Sequence, residues 1–219
     1  MTATSFGSPS PRTARSRIPG RKSGRGQQAG ISQLPLFSLP AQRPLMCNVF
    51  FALGPDATAK AQCASLLQSL RSERIALEKP VEVDRLHVSL CNIGGFFDQI
   101  PREHLPAARY AAAHVRIDPF TVTFDQLHSA KGHLLLRPSD GAPALYAFQE
   151  KLSKALIGAG MRRWMTWKFR PHLTLCYDAG AIPERTVAPV TWTVRDFVLI
   201  ESLYGRHRHI ERGRWALQP

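Results

Sequence analysis

An α+β fold of two similar lobes with a groove between them is predicted for this 219-residue chain, and two observations carry the prediction. The first is that the succession strand, helix, strand occurs twice. The second is that each time the returning strand holds a histidine two residues before a hydroxyl residue, in residues 86–90 (LHVSL) and residues 171–178 (PHLTLCYD). Successive side chains of a strand point to opposite faces, so His87 shares a face with Ser89, and His172 with Thr174. The opposite faces, Leu86, Val88 and Leu90 in one strand and Leu173 and Leu175 in the other, are apolar and suited to burial against helices.

In chain order, residues 1–43 are rich in Ser, Arg, Gly and Pro and lack periodicity. They cannot bury enough apolar surface to offset the entropy of ordering them, which predicts a disordered basic tail before a folded domain over residues 44–219. Residues 45–53 (LMCNVFFAL) form a short apolar run closed by Gly54-Pro55, the profile of a buried strand. A helix follows from the capping residue Asp56 to about residue 74, with Cys63, Leu66, Leu67 and Leu70 on one face. After a connector comes the His87 strand, with Gly94-Gly95 read as a turn. A second helix, residues 102–114, starts past Pro101. Residues 120–127 alternate as a strand and pair with residues 132–137 in a hairpin. The third helix opens at Ala142-Pro143, carries Leu145, Phe148, Leu152, Leu156 and Ile157 on one face, and stops at Gly158 to Gly160. Trp164, Trp167 and Phe169 lead into the His172 strand, and strands over residues 194–200 and 214–217 close the chain.

A single HxS or HxT in a strand is ordinarily a hydrogen-bonded structural histidine. Two copies with the same spacing, strand phase and place after an amphipathic helix point to a site. Set side by side in the two halves, the strands bring two imidazoles and two hydroxyls to one groove. That set suits in-line chemistry on a phosphate diester: one imidazole takes a proton from the attacking oxygen, the other gives one to the leaving oxygen, and the hydroxyls hold the non-bridging oxygens.

Composition sets limits. The chain is 44% hydrophobic, enough for a packed core, and its net charge of +13 makes nucleic acid the first partner to expect, ahead of an anionic membrane. No Asp or Glu precedes Asp56, and seven of the thirteen excess positive charges lie in the first 43 residues. A transit peptide, an RNA-contacting arm and a start codon placed too far upstream all fit that leader. Cys47, Cys63, Cys91 and Cys176 show no CxxC or Cys/His ligand spacing, which argues against a zinc site and a secreted disulfide framework. No apolar run reaches the length of a membrane span. The expectation is a cytoplasmic protein, with organelle targeting by the tail left open.

From about residue 45 to residue 217 the chain resembles the two-histidine (2H) phosphoesterases, specifically the bacterial and archaeal RNA 2′,3′-cyclic phosphodiesterases once named 2′-5′ RNA ligases. The resemblance rests on the FFAL strand before a proline, LHVSL followed by glycine, the Pro119-Phe120 strand, LLLRP, the PALYAFQEKLSKAL helix, FRPHLTL, the strand over residues 197–202 and a closing Arg-Trp. It implies two pseudo-symmetric lobes, each a mainly antiparallel sheet with helices on its outer face, and an active groove between them. It also implies catalytic roles for His87 and His172 and phosphate binding by Ser89 and Thr174. No cofactor or metal is implied; the partner is an RNA or nucleotide ending in a 2′,3′-cyclic phosphate, and the protein is expected to be a monomer without a membrane.

Two departures stand out. Ser89 replaces the common threonine and keeps the hydroxyl. Where the family carries an arginine after the second motif, this chain has Tyr177 followed by Asp178. Arg170, Arg206, Arg208 and Lys168 are the candidate replacement cations, each more often a solvated surface charge. Tyr177 and Tyr204 are candidates to stack on a base or bond a phosphate, against ordinary packing. His207 and His209 lie in a short basic run, RHRH, read as a solvated loop with an RNA-contacting edge as the alternative. A non-catalytic nucleotide- or RNA-binding module of the same fold is the rival to the enzyme.

Overall fold

The computed structural model describes residues 46–165 and 168–219. The expected tail over residues 1–43, Leu45 and Trp167 lie outside the described residues. In order the elements are β1 (Met46–Leu53), α1 (Ala57–Ser72), β2 (Leu77–Pro80), β3 (Val88–Phe97), α2 (His104–Ala113), β4 (Phe120–Ala130), β5 (His133–Arg137), α3 (Pro143–Gly158), β6 (Leu173–Ala179), β7 (Arg185–Val194), β8 (Asp196–Leu203) and β9 (Arg208–Ala216), with short 3₁₀ turns at Val83–Arg85 and Arg162–Trp164. They build two antiparallel sheets, ordered β3-β1-β8-β9 and β2-β6-β5-β4-β7.

Local chemistry explains the helices. Asp56 caps α1 by accepting the Ala59 N–H at 2.8 Å. The face of α1 carrying Ala59, Cys63, Leu67 and Leu70 is buried, with Leu66 half-buried beside it. In α3 the buried face is Leu145, Phe148, Leu152 and Leu156. The Phe148 ring meets Phe197 of β8 at 5.2 Å, so α3 covers the face of the first sheet that also buries Val49, Phe51 and Leu53. Helix α1 lies along β7, where Gln62 Oε1 accepts the Thr191 N–H at 3.2 Å. Each fully buried Leu or Phe contributes roughly 1.5–3 kcal/mol, and both sheets share one continuous core.

The two halves repeat each other closely. β1 leads through α1 to β3, which pairs back on β1; β5 leads through α3 to β6, which pairs back on β5. Ala52 faces Ser89 and Leu135 faces Thr174 across these pairs. Directly after each hydroxyl residue the register slips by one: Phe51 pairs with Cys91 and Leu134 with Cys176, leaving Leu90 and Leu175 as the extra residues of two equivalent bulges. A bulge reverses the alternation beyond it. Leu90-Cys91 and Leu175-Cys176 are therefore both buried, and Asn92 and Tyr177 emerge on the side of Ser89 and Thr174.

The motif strands fall one to each sheet, as two lobes require: β3 is an edge of the first, and β6 lies between β2 and β5 in the second. Three sequence expectations are corrected. Gly94-Gly95 is not a turn, because β3 runs through it to Phe97. Its glycine has another reason: the Phe96 ring lies over Gly94 so closely that an added Cβ would sit 2.3 Å from it. The connector before His87 holds a strand, β2, whose Leu-Glu-Lys-Pro sequence is almost wholly exposed and shows no alternation. The strand expected over residues 194–200 is two strands in different sheets, broken at Arg195. The 120–137 hairpin is as expected, turning at Lys131-Gly132 with both residues at positive φ.

Candidate active site

Each motif histidine stands just ahead of its strand, His87 before β3 and His172 before β6. Each is held in the same way. His87 Nδ1 lies 2.7 Å from the carbonyl oxygen of Arg85, and His172 Nδ1 lies 2.8 Å from that of Arg170. A carbonyl only accepts, so Nδ1 carries the proton in both rings and Nε2 is left for chemistry. Arg85 and Arg170 occupy matching places, two residues before the histidine, and the shared pattern is R-x-H-x-[S/T]-L-C. The full repeat was there to be read in the sequence, but only its H-x-[S/T] part attracts attention, because the arginines act through backbone carbonyls.

Beyond this the two sites differ. The His87 ring is flanked by Phe50 at 5.1 Å and, edge to face, by His209 at 5.3 Å. Phe50 belongs to a small apolar patch with Ala52, Val198 and Ile200, separate from the main core, which floors the site on the first sheet. Burial pushes the His87 pKa down, and the positive neighbours His172 and Arg85 push the same way against the Arg85 carbonyl, which favours the cation. His209 is pushed down to about 4, first by burial and then by His87 and Arg85.

A cavity of about 480 Å³ opens beside His87. Its walls come from the β1–α1 corner, from Arg85, from Val198, Ile200 and His209 of the first sheet, and from Trp192 at the end of β7 in the second. His172, Ser89 and Thr174 do not line it. Ser89 is exposed and Thr174 half-buried, and neither hydroxyl has a hydrogen-bond partner among the described residues.

The remaining candidates are dispersed. Arg170 is exposed and lines a second cavity of about 260 Å³ with Arg137 and Tyr146. Tyr177, 42% exposed, meets His133 edge to face at 5.1 Å on the Thr174 side of β6. Asp178 pairs with Lys79. Lys168, Tyr204, Arg206, His207 and Arg208 are exposed and line neither cavity. His209 corrects the solvated-loop reading: it sits in β9 and packs on His87. Arg85, Trp192 and Arg195 were not anticipated either. Among the described residues no group of three or more His, Cys, Asp or Glu side chains is arranged to hold a metal ion.

The profile of the 2′-5′ RNA ligase superfamily matches residues 55–206. Among solved structures, E. coli LigT in its apo form is 24% identical with a TM-score of 0.65, over 80% of this chain and 99% of that one. E. coli LigT complexed with 3′-AMP is 24% identical with a TM-score of 0.64, over the same shares. TT0787 of Thermus thermophilus is 21% identical with a TM-score of 0.62, over 78% of this chain and 98% of that one. At these identities the likeness shows the fold. No curated protein matches the chain.

Proposed function

The chain belongs to the 2′-5′ RNA ligase superfamily, and from that premise we propose that it opens the 2′,3′-cyclic phosphate at an RNA or nucleotide end to a phosphomonoester, without a metal, by two-histidine acid/base catalysis. The observation that carries the proposal is the duplicated R-x-H-x-[S/T]-L-C segment, with each Nδ1 tied to the carbonyl two residues upstream and each Nε2 left for proton transfer. LigT complexed with 3′-AMP is in keeping with a nucleotide phosphate as ligand.

The desolvated surroundings of His87 favour its neutral form, so His87 is the base in hydrolysis. Its Nε2 takes a proton from water as the water oxygen attacks phosphorus. The P–O bond to one ribose oxygen breaks in line, and His172 Nε2–H gives that oxygen its proton. Ser89 and Thr174 donate hydrogen bonds to the non-bridging oxygens. With a 5′-hydroxyl in place of water as the attacking oxygen, the same forward steps join a cyclic end to that hydroxyl, and in water hydrolysis dominates.

The test is turnover of a 2′,3′-cyclic nucleotide with and without a chelator. His87→Ala and His172→Ala should each lose about 10² to 10⁴ in rate with the fold intact, and the chelator should have no effect. Full activity in the double mutant, or loss to chelator restored by a divalent ion, would defeat the mechanism. The rival, a nucleotide-binding module without turnover, draws on Tyr177 and Asp178 standing where the family has arginine, and binding without turnover is its signature.

A further inference from the structure

The Nδ1 tether holds the His87 ring only to its own segment, because the accepting carbonyl belongs to Arg85, two residues earlier. That segment enters β3, an edge strand of the first sheet. The second hold on the ring is not local. His209 lies in β9, the opposite edge of the same sheet, with β1 and β8 between the two. Register puts it there: Asn48 pairs with Ser202 and Ser202 with His209, in the row beside the Phe50–Ile200 pair. The rings of His87, Phe50 and His209 pack mutually, with centroids 5.1, 5.3 and 6.0 Å apart, and His209 stands edge to face with both others, at 73° and 82°. Edge to face is a favoured geometry for ring pairs. His172 has the same Nδ1 tether, but no aromatic ring among the described residues packs against it.

A ring held by one hydrogen bond can still swing about it, and contacts from two further strands remove that freedom. Proton transfer depends on where Nε2 points, and a misplacement of about 1 Å can cost about 10²-fold in rate. Burial, with His87 and Arg85 beside it, holds the His209 pKa down at about 4, so at neutral pH it is an uncharged ring and not a second cation against His87. Neither nitrogen of His209 has a hydrogen-bond partner among the described residues, so ring packing is what seats its side chain. We propose that His209 is a positioning residue for the two-histidine reaction: reaching over the sheet from β9, its ring joins Phe50 in bracing the His87 imidazole and so aims Nε2 at the attacking water. This rests on the phosphodiesterase reading above, in which His87 is the base; His209 acts through His87 and does not touch the substrate.

His209→Ala removes the brace, and His209→Phe keeps a flat ring. With adenosine 2′,3′-cyclic phosphate, His209→Ala should lose about ten- to hundredfold in kcat with KM little changed, and His209→Phe should recover most of that loss. If His209→Ala does not fold, His209→Gln, which has bulk but no ring, takes its place with the same expectation. A kcat close to that of the wild type in the folded ringless variant, or no recovery in folded His209→Phe, overturns the proposal and leaves the phosphodiesterase standing. The second readout is exchange of the imidazole Nδ1–H protons with water, followed by NMR. The His87 proton should exchange faster in the ringless variant and slow again in His209→Phe, while the His172 proton keeps its rate. An unchanged His87 rate overturns the proposal. Because this readout needs no turnover, failure of the wild type to hydrolyse any cyclic ester would sink the phosphodiesterase reading alone, and proton exchange would still decide whether His209 holds the His87 ring.

Discussion

The imidazoles of His87 and His172 share a tether and differ in surroundings, and the difference sets the pH behaviour. Because burial lowers the His87 pKa, the acid limb of kcat/KM should fall below the ordinary histidine value of about 6.5. A pH profile with that limb at or above 6.5 would contradict His87 as a desolvated base. His209 tests the same environment through stability. Its folded pKa is about 4 and its unfolded value about 6.5, so between those values the unfolded chain binds a proton that the folded chain refuses. Stability therefore drops as pH falls from about 6.5 to 4, and above that window His209 adds no slope. Urea unfolding of His209→Gln should show a shallower acid slope than the wild type, with His87 still contributing in the same direction.

At the level of elements, the bulges after Ser89 and Thr174 decide what each groove-side strand presents. Strict alternation would put Tyr177 on the face opposite Thr174; one extra residue turns it to the same face, beside His133. The first motif strand also depends on Gly94, whose missing Cβ admits the Phe96 ring. Gly94→Ala should lower stability by about 1–3 kcal/mol, since the ring must leave its place between Gly94, His104 and Trp164. Thermal unfolding reads this directly. Phe96→Ala in the same background should recover part of the added clash, and no recovery would mean that the ring is not the obstacle.

For the whole molecule, charge is the first lever. Residues 1–43 hold seven cations and no acid, so a chain without them should bind RNA more weakly at low salt and show a smaller salt dependence, while the melting temperature stays put. A large drop in melting temperature would show that the segment packs. Much of the architecture can be read from sequence because it is locally encoded. The spacing of Leu145, Phe148, Leu152 and Leu156 marks a helix face, and the alternation around His87 and His172 marks which side of a strand is buried. Side-chain period thus determined the helices and both motif strands. Period says which face is buried, but not which strand lies alongside or where a register slips. The break at Arg195 that sends β7 and β8 to different sheets, the paired bulges and the unpatterned β2 were settled by pairing between distant segments. The same holds for His209: 122 positions separate it from His87 in the chain, and only the folding of β9 onto β8 sets its ring against the imidazole and closes the cavity beside it.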